Sequence, residues 1–266
     1  MKLLSDKECK DRLLQMLKFL DKVCKDNNIK YSIIGGTAIG ALRNKGFLPW
    51  DDDIDIILLK DEFDKLKEAL INEQNEDYKI LYPGINDTYY FTGMKLIDIK
   101  TTLKEDLLNK IDDYGLFIDI FNYNSFPKNK IKQKFYLFTN RLFDILFYYG
   151  FIVDVNSSKN FLKKVRNVVA KRIGIKRILK HKIRLLQKYN HDKTSKYIYS
   201  CWPVYSLEKE IQERNNFLEY TKVQFEDTMV MITKDYDKVL TKTFGDYMTP
   251  PKKNKRRNHN LKVYLR

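Results

Sequence analysis

Two stretches decide the fold of this sequence: IIGGTAIGALR at positions 33–43 and DDDIDIILL at positions 51–59. The first is typical of a short strand that meets a tight turn at Gly35 and Gly36 and continues as a helix. A helix that begins on such a turn presents unpaired backbone N–H groups and the positive end of its dipole, and glycines let a phosphate approach the backbone closely. The first stretch therefore predicts an anion-binding turn, to which Thr37 adds a hydroxyl.

The acidic second stretch predicts a metal site. Because side chains alternate between the two faces of a strand, Asp53 and Asp55 point the same way while the isoleucines point into the core. A third carboxylate, Asp119, lies in the apolar run 116–121, where an unpaired charge is costly. Three carboxylates on one face suit Mg²⁺ or Mn²⁺, which keep water ligands and bind substrate phosphates. With Arg43 to neutralise phosphate charge, these parts predict phosphoryl transfer.

The rest of the chain predicts an α+β architecture. Apolar residues recur at helical spacing over 5–28, and a second helix with Asp61 as its N-cap is predicted to end near 73. Aromatic and β-branched runs predict strands at 78–82, 89–99 and 116–123. We divide the chain into three regions: a catalytic core at 1–127, a basic aromatic helical region at 128–190, and a C-terminal region at 191–266 that packs on the core and closes the site.

The positive charge is concentrated in one part of the sequence. The net charge is +15, and the segment 128–188 holds 17 of the 50 basic residues but two of the 35 acidic ones. An in-plane aromatic helix followed by a basic amphipathic helix would suit contact with an anionic membrane surface. A buried helix followed by a solvated basic helix fits the pattern equally well. Nucleic-acid binding is less favoured, because the basic segments contain no recognised nucleic-acid motif.

Cysteine spacing and hydropathy indicate the compartment. Cys9, Cys24 and Cys201 match neither a disulfide framework nor a zinc pattern, so we expect free thiols. The first residues lack the apolar core of a signal peptide, and no stretch reaches eighteen uncharged apolar residues. We expect a cytoplasmic protein, at most peripheral on the cytosolic face of a membrane.

Four separated blocks of the sequence resemble the LicD family. They lie at 35–43, at 46–56, at 117–121, and near the C-terminus at 225–226 and 244–251. The family comprises phosphocholine transferases and relatives in the nucleotidyltransferase superfamily, and fukutin-related proteins share the motif. The resemblance implies a polymerase-β-like nucleotidyltransferase core, a mixed sheet flanked by helices, with the cationic aromatic region as a helical insertion. It also implies that Asp53, Asp55 and Asp119 hold the metal and carry catalysis, with Asp51 nearby in the same loop.

The resemblance further implies a reaction. Phosphocholine, or a polyol phosphate such as ribitol or glycerol phosphate, passes from CDP-choline or a CDP-polyol to a sugar hydroxyl, and CMP leaves. The expected acceptor is a lipid-linked precursor of a cell-surface glycan such as teichoic acid, lipopolysaccharide or capsule. Two alternatives remain: a nucleotidyltransferase acting on a small molecule or nucleic acid, and a catalytically inactive membrane-binding or nucleic-acid-binding protein.

Several residues stay as second-tier candidates. Lys95 either reaches a phosphate from the sheet or is an edge-strand lysine. Arg256 and Arg257 either close over the donor or solvate the C-terminal tail. Choline recognition calls for an aromatic cage or an acid, and the sequence singles out none of its many tyrosines and phenylalanines. It also leaves open whether Asp55 or Asp119 accepts the proton of the acceptor hydroxyl.

Overall fold

The computed structural model describes residues 1–73, 75–103, 111, 113–152, 160–256, 258 and 261–266, which form an α+β fold. Its strands are β1 (Lys2–Leu3), β2 (Ser32–Ile33), β3 (Asp55–Leu59), β4 (Tyr78–Leu81), β5 (Met94–Asp98), β6 (Thr101–Leu103), β7 (Phe117–Ser125), β8 (Tyr197–Ser200), β9 (Ile211–Glu213), β10 (Tyr220–Phe225), β11 (Thr228–Thr233) and β12 (Val263–Leu265). Its helices are α1 (Asp6–Asp26), α2 (Gly35–Asn44), α3 (Lys60–Asn72), α4 (Lys130–Phe147), α5 (Phe161–Ile173), α6 (Ile175–Gln187), α7 (Leu207–Glu210) and α8 (Tyr236–Phe244).

The central sheet is mixed, in the order β2-β3-β7-β5-β4. Strands β3 and β7 run parallel, whereas β2 with β3, β5 with β7 and β4 with β5 pair antiparallel. The long strand β7 leaves β5 after its first half and pairs with β8 over its last residues, and β8 in turn pairs with β9. Because β3 and β5 both flank β7, the sheet brings sequence-distant residues side by side. The α+β class and the mixed sheet flanked by helices are confirmed.

Helix α1 supplies much of the apolar core against this sheet. Ser5 caps it, since its side chain accepts from the N–H of Glu8 while the Glu8 carboxylate accepts from the N–H of Ser5. Its fully buried side chains include Leu13, Leu17 and Leu20, which join the main core cluster. Helix α1 contacts β5, β7 and α3, so it covers the sheet beside the strands that carry the candidate site.

The helices α4, α5 and α6 lie between β7 and β8 in the chain. Helix α4 continues into a π-helical turn over Tyr148–Ile152, and α4, α5 and α6 contact one another. Phe147, Ala170 and Ile178 form a small core of their own. Over the described ranges, no helix is both long enough and apolar enough to cross a membrane.

The C-terminal quarter of the chain returns to the core. The hairpin of β10 and β11 contacts α1, α2 and β2, and β12 pairs with both β1 and β6. The cysteines Cys9, Cys24 and Cys201 are free, as expected.

The structure corrects two local predictions and excludes one of the two roles left open for Lys95. Helix α3 begins at Lys60, so Asp61 lies in its first turn and is not the N-cap; its carboxylate pairs with Lys193 instead. The strand predicted over 89–99 is shortened to Met94–Asp98, because its first aromatic residues serve as packing surfaces outside the sheet. Lys95 is not an edge-strand lysine, since β5 lies between β4 and β7.

Candidate active site

A row of charged side chains crosses three neighbouring strands. Asp55 on β3 is the register partner of Asp119 on β7, and Asp119 is the register partner of Lys95 on β5. Since adjacent strands lie about 4.8 Å apart, the three side chains are close neighbours. The Lys95 Nζ atom is 2.5 Å from Asp119 Oδ1, and both side chains are largely buried. The sheet therefore joins two of the predicted ligands and a lysine in one charged row.

The carboxylates influence one another strongly. Burial raises the pKa of Asp55 well above its usual value, and Asp53, Asp119 and Asp51 raise it further, while Lys95 acts in the opposite direction. Carboxylates that raise each other's pKa in this way are close enough to repel. A divalent cation placed among them relieves that repulsion, so the donor set fits Mg²⁺ or Mn²⁺ in charge and in chemistry.

The side chains are not preassembled around a metal position. Over the residues that the structure describes, no three His, Cys, Asp or Glu side chains are gathered closely enough to hold an ion as they stand. Asp119 is instead turned to Lys95. Metal binding by Asp53, Asp55 and Asp119 would therefore require Asp119 to exchange its ammonium partner for the cation.

The paired glycines let two carboxylates approach the start of α2. Gly35 has a φ of +58°, which favours glycine, and a Cβ there would lie 3.3 Å from Asp55 Oδ2. At Gly36 a Cβ would lie only 2.1 Å from Asp51 Oδ2. Asp55 and Asp51 thus occupy the position beside the glycines where we expected a phosphate. Their negative charges suit the positive end of the helix dipole.

Thr37 fixes the backbone of Asp55. Its hydroxyl accepts a hydrogen bond from the Asp55 N–H at 2.9 Å, and the residue is buried. The Asp55 carbonyl accepts from the N–H of Ile34 at 3.1 Å. The turn before α2 therefore fixes both the N–H and the carbonyl group of Asp55. The hydroxyl predicted at Thr37 is engaged in positioning Asp55.

Glu226 supports the loop that leads into the acidic run. Its carboxylate accepts from the Phe47 N–H at 3.0 Å, and its own N–H donates to the Lys45 carbonyl at 2.6 Å. A Cβ at Gly46 would lie 2.0 Å from Glu226 Oε1, so this contact requires a glycine. Glu226 belongs to the motif at 225–226, and the sequence does not reveal its role, because only the fold brings the β10–β11 turn to this loop.

Two guanidinium groups lie against Trp50, next to the acidic run. The Arg43 guanidinium is 5.6 Å from the centre of the Trp50 ring and donates to the Tyr247 carbonyl at 3.2 Å. The Arg256 guanidinium is 4.3 Å from the same ring. Burial, with the nearby charge of Arg256, lowers the pKa of Arg43. The C-terminal segment thus reaches this loop through Arg256, whereas Arg257 lies outside the described residues.

An aromatic cavity of about 230 Å³ adjoins the charged row. Asp53, Lys95 and Asp119 are its charged lining residues. Its aromatic wall consists of Tyr89, Phe91, Tyr114, Phe117, Phe121 and Trp202. The Phe91 and Trp202 rings meet edge to face with centroids 5.2 Å apart. The sequence alone does not reveal these aromatic lining residues as a group, because they come from separate strands and loops.

The part of the chain that carries the candidate site is similar to known proteins. Residues 28–147 match the family model described as LicD/FKTN/FKRP, nucleotidyltransferase domain. The chain is 28% identical to the lipopolysaccharide cholinephosphotransferase LicD of Haemophilus influenzae over 95% of each protein. Shorter segments match uncharacterised proteins of Rickettsia typhi (33% identical over 35% of this chain and 29% of the relative) and Rickettsia prowazekii (36% identical over 26% of each). The Gly-Gly turn, the acidic run and Asp119 all fall within the segment that matches the LicD family model.

Proposed function

We propose that this chain is a LicD-type phosphotransferase that moves phosphocholine from CDP-choline to a sugar hydroxyl of a cell-surface glycan precursor. CMP is the leaving group, and Mg²⁺ (or Mn²⁺) is held by Asp53, Asp55 and Asp119. The central sheet then serves as a polymerase-β-like nucleotidyltransferase core. The relationship to a lipopolysaccharide cholinephosphotransferase over nearly the whole chain supports the reaction class.

The observation that carries the choice of phosphocholine is the aromatic cavity beside the carboxylates. Quaternary ammonium groups bind over the faces of Trp, Tyr and Phe rings. Phe91, Phe121 and Trp202 line the cavity together with Lys95. We place the phosphate of a phosphocholine group near Lys95 and its trimethylammonium group against the aromatic rings. Ribitol and glycerol phosphate carry hydroxyls in place of a cation and would leave the aromatic wall without a complementary partner.

The chemistry follows from charge and position. The acceptor hydroxyl passes its proton to Asp55 or Asp119 as its oxygen attacks the phosphorus bonded to the choline oxygen. The bond from that phosphorus to the bridging oxygen breaks, and CMP departs with the bonding electrons. A bound metal would neutralise phosphate charge and clamp the reacting oxygens. Arg43 and Arg256 add positive charge beside the acidic run, and the glycine turn with Thr37 fixes Asp55. These residues supply the positioning and charge neutralisation on which phosphoryl transfer depends.

A donor survey tests the proposal. The melting temperature of the protein is measured in Mg²⁺ with CDP-choline, CDP-ribitol or CDP-glycerol. In a separate assay, CMP release is measured with each donor. Asp53→Ala and Asp55→Ala serve as site controls. We expect CDP-choline to stabilise the protein most and to give the fastest CMP release, and we expect both variants to lose turnover. Preference for a polyol donor would refute the head-group assignment, and undiminished turnover in both variants would refute the metal site.

The cavity itself is tested by Trp202→Leu and Phe91→Leu. Each variant should lower kcat/KM for CDP-choline relative to CDP-glycerol by about 10-fold, because one face available to the cation is lost. The ratio between donors separates this effect from general damage to the protein. Tyr148→Leu, at an exposed aromatic residue outside the cavity, is the matched control. An unchanged ratio in both cavity variants would contradict the assignment of the cavity to choline.

We place the reaction at the cytosolic face of a membrane, on a lipid-linked acceptor. The cationic and aromatic helices α4, α5 and α6 support this placement as a helical insertion suited to a membrane surface.

A further inference from the structure

Helix α4 carries an exposed apolar stripe on its outer face. Ile131, Phe135, Phe138 and Leu142 are 79%, 64%, 70% and 46% exposed, respectively. Their spacings of four, three and four residues place them on one side of the helix. Large contiguous apolar patches are rare on proteins that bind nothing through them. We call these four residues the α4 stripe.

Helix α5 carries a second stripe of the same kind. Its exposed apolar residues are Phe161, Leu162, Val165, Val168, Val169 and Ile173. At 100° per residue they fall within one broad arc of the helix, so they also form a face. We call them the α5 stripe. Helices α4 and α5 contact each other, so the two stripes belong to one packed helical region.

Basic side chains border both stripes. On α4, Lys132 and Lys134 lie on opposite sides of the stripe, and both are exposed. On α5, Lys164 and Arg166 flank the stripe in the same manner. These residues belong to the segment 128–188, which holds the excess of positive charge. An apolar face bordered by cations on both sides matches the boundary between anionic head groups and acyl chains.

We propose that the α4 and α5 stripes dock on an anionic lipid bilayer, with the helices lying in the plane of its surface. The apolar side chains enter the head-group boundary and the bordering lysines and arginines contact anionic head groups. A second copy of the chain is a poorer occupant, because pairing through this face would bring two strongly cationic segments together. The positive charge of the segment 128–188 therefore favours a negatively charged surface.

The docking region is joined directly to the aromatic cavity. Phe147, at the end of α4, has its ring 6.0 Å from that of Phe91 and 6.1 Å from that of Trp202, both of which line the cavity. Buried Lys182 of α6 bonds to Asp144 of α4 and lies 5.3 Å from the Trp202 ring. Docking of α4 would thus hold the cavity wall near the membrane. This consequence for a lipid-linked acceptor rests on the proposed function, whereas docking itself does not.

Vesicle co-sedimentation tests the docking surface. The full chain is mixed with vesicles of phosphatidylcholine alone, or of phosphatidylcholine and phosphatidylglycerol in equal parts. We expect binding to the anionic vesicles alone. The double variant Phe135→Ser/Phe138→Ser should bind them roughly 100-fold more weakly, because two exposed rings no longer enter the bilayer. Lys132→Gln/Lys134→Gln should weaken binding about 25-fold, at about fivefold for each charge.

The controls separate docking from folding and from catalysis. Ile71→Ser/Met229→Ser removes two exposed apolar side chains elsewhere and should bind as the unchanged protein does. CMP release with a water-soluble sugar acceptor should be equal in the Phe135→Ser/Phe138→Ser variant and the unchanged protein, so loss of docking is distinguishable from loss of activity. Equal binding to both vesicle types, binding to neither, or unchanged binding by the double variant would overturn the proposal. Sedimentation showing a dimer that the double variant abolishes would also overturn it, by assigning the stripes to a second copy.

Discussion

Lys95 and Asp119 face each other across β5 and β7, with Lys95 Nζ 2.5 Å from Asp119 Oδ1. The same ammonium lies 3.4 Å from the centre of the Phe117 ring. Asp55 is the next member of the row, on the other side of Asp119. A metal ion shared by Asp55 and Asp119 must therefore compete with Lys95 for the oxygens of Asp119. We propose that Lys95 stabilises the carboxylates of the metal-free protein and that metal binding would release it to contact substrate phosphate.

Replacing Lys95 tests this exchange. Lys95→Met leaves a mostly buried carboxylate unpaired beside Asp55, so we expect the metal-free protein to lose about 3 kcal/mol of unfolding free energy. Added Mg²⁺ should stabilise this variant more than the unchanged protein, because the cation replaces the missing ammonium. Urea unfolding with and without Mg²⁺ measures both effects. Lys79→Met, which breaks the more exposed pair with Asp113, should cost no more than about 1 kcal/mol. Equal losses in the two variants would rule out a special role for the buried pair.

The raised pKa of Asp55 predicts an unusual pH dependence. Because the pKa is higher in the folded protein than in the unfolded chain, the folded state binds the proton more tightly. The contribution of Asp55 to stability is therefore present at low pH and is lost as the pH rises from about 4 through the folded pKa. Asp55→Asn, which cannot ionise, should melt at a higher temperature than the unchanged protein at pH 8 in EDTA.

The same Asp55→Asn variant should lose its stability advantage in acid. Its CMP release should fall by about 100-fold or more, because one charge that holds the metal is gone. Melting curves across pH in EDTA, together with an activity assay in Mg²⁺, measure the two properties. A variant that melts below the unchanged protein at pH 8 would show that the Asp55 charge is stabilised by its surroundings, in conflict with this account.

The glycine turn can be tested at Gly36. Gly36→Ala would push the Asp51 carboxylate away, since the new Cβ would lie 2.1 Å from Asp51 Oδ2. The short side chain can rotate, so we expect a modest loss of stability, about 1 kcal/mol. Displacement of a carboxylate in the site should reduce CMP release by about 10-fold or more. Gly84→Ala is the control, because its φ of +92° gives backbone strain while no atom lies within 4 Å of the new Cβ. If both variants kept full activity, the close approach of α2 to Asp51 would have no catalytic importance.

Arg256 should act on donor binding. Its guanidinium covers Trp50 beside the acidic run, where it adds to the positive charge of Arg43. Arg256→Ala should raise KM for the donor by about 10-fold and change kcat and the melting temperature little, because one charge-assisted contact to phosphate is lost. Steady-state kinetics check this, with Lys253→Ala, at an exposed lysine of the same segment, as the control. A KM unaltered from that of the control would exclude Arg256 from the donor site.

The sequence predicts the site residues that depend on local rules. Strand alternation selects Asp53 and Asp55, but β3 begins only at Asp55, so Asp53 lies in the loop before the strand. One acid in an apolar run selects Asp119. The pairing of Asp55 with Asp119 follows from strand order, which is a non-local property that no periodicity reveals. The interior position of Lys95 has the same origin, and this is why the sequence left it open between two roles.

The aromatic residues were harder to interpret because the same side chains suit strands, cores and binding sites. Residues from 89 onward read as strand, yet Tyr89 and Phe91 line a cavity outside the sheet. For α4 the sequence allowed either a buried or a surface helix, and the exposure of Phe135 and Phe138 was decided by packing against α6 on the opposite side. Asp61 fitted an N-cap pattern, but a long-range partner, Lys193, engages its carboxylate.

We propose that the acceptor attacks the phosphorus distal to cytidine, with the metal held at Asp53, Asp55 and Asp119. The most direct test of this proposal uses CDP-choline carrying radioactive phosphorus either next to choline or next to cytidine, incubated with Mg²⁺ and a glycolipid extract of the source cells. We predict that the choline-side label enters the glycolipid, that the cytidine-side label leaves as CMP, and that Asp53→Ala abolishes both. Entry of the cytidine-side label into the glycolipid, or no transfer of either label, would contradict the account.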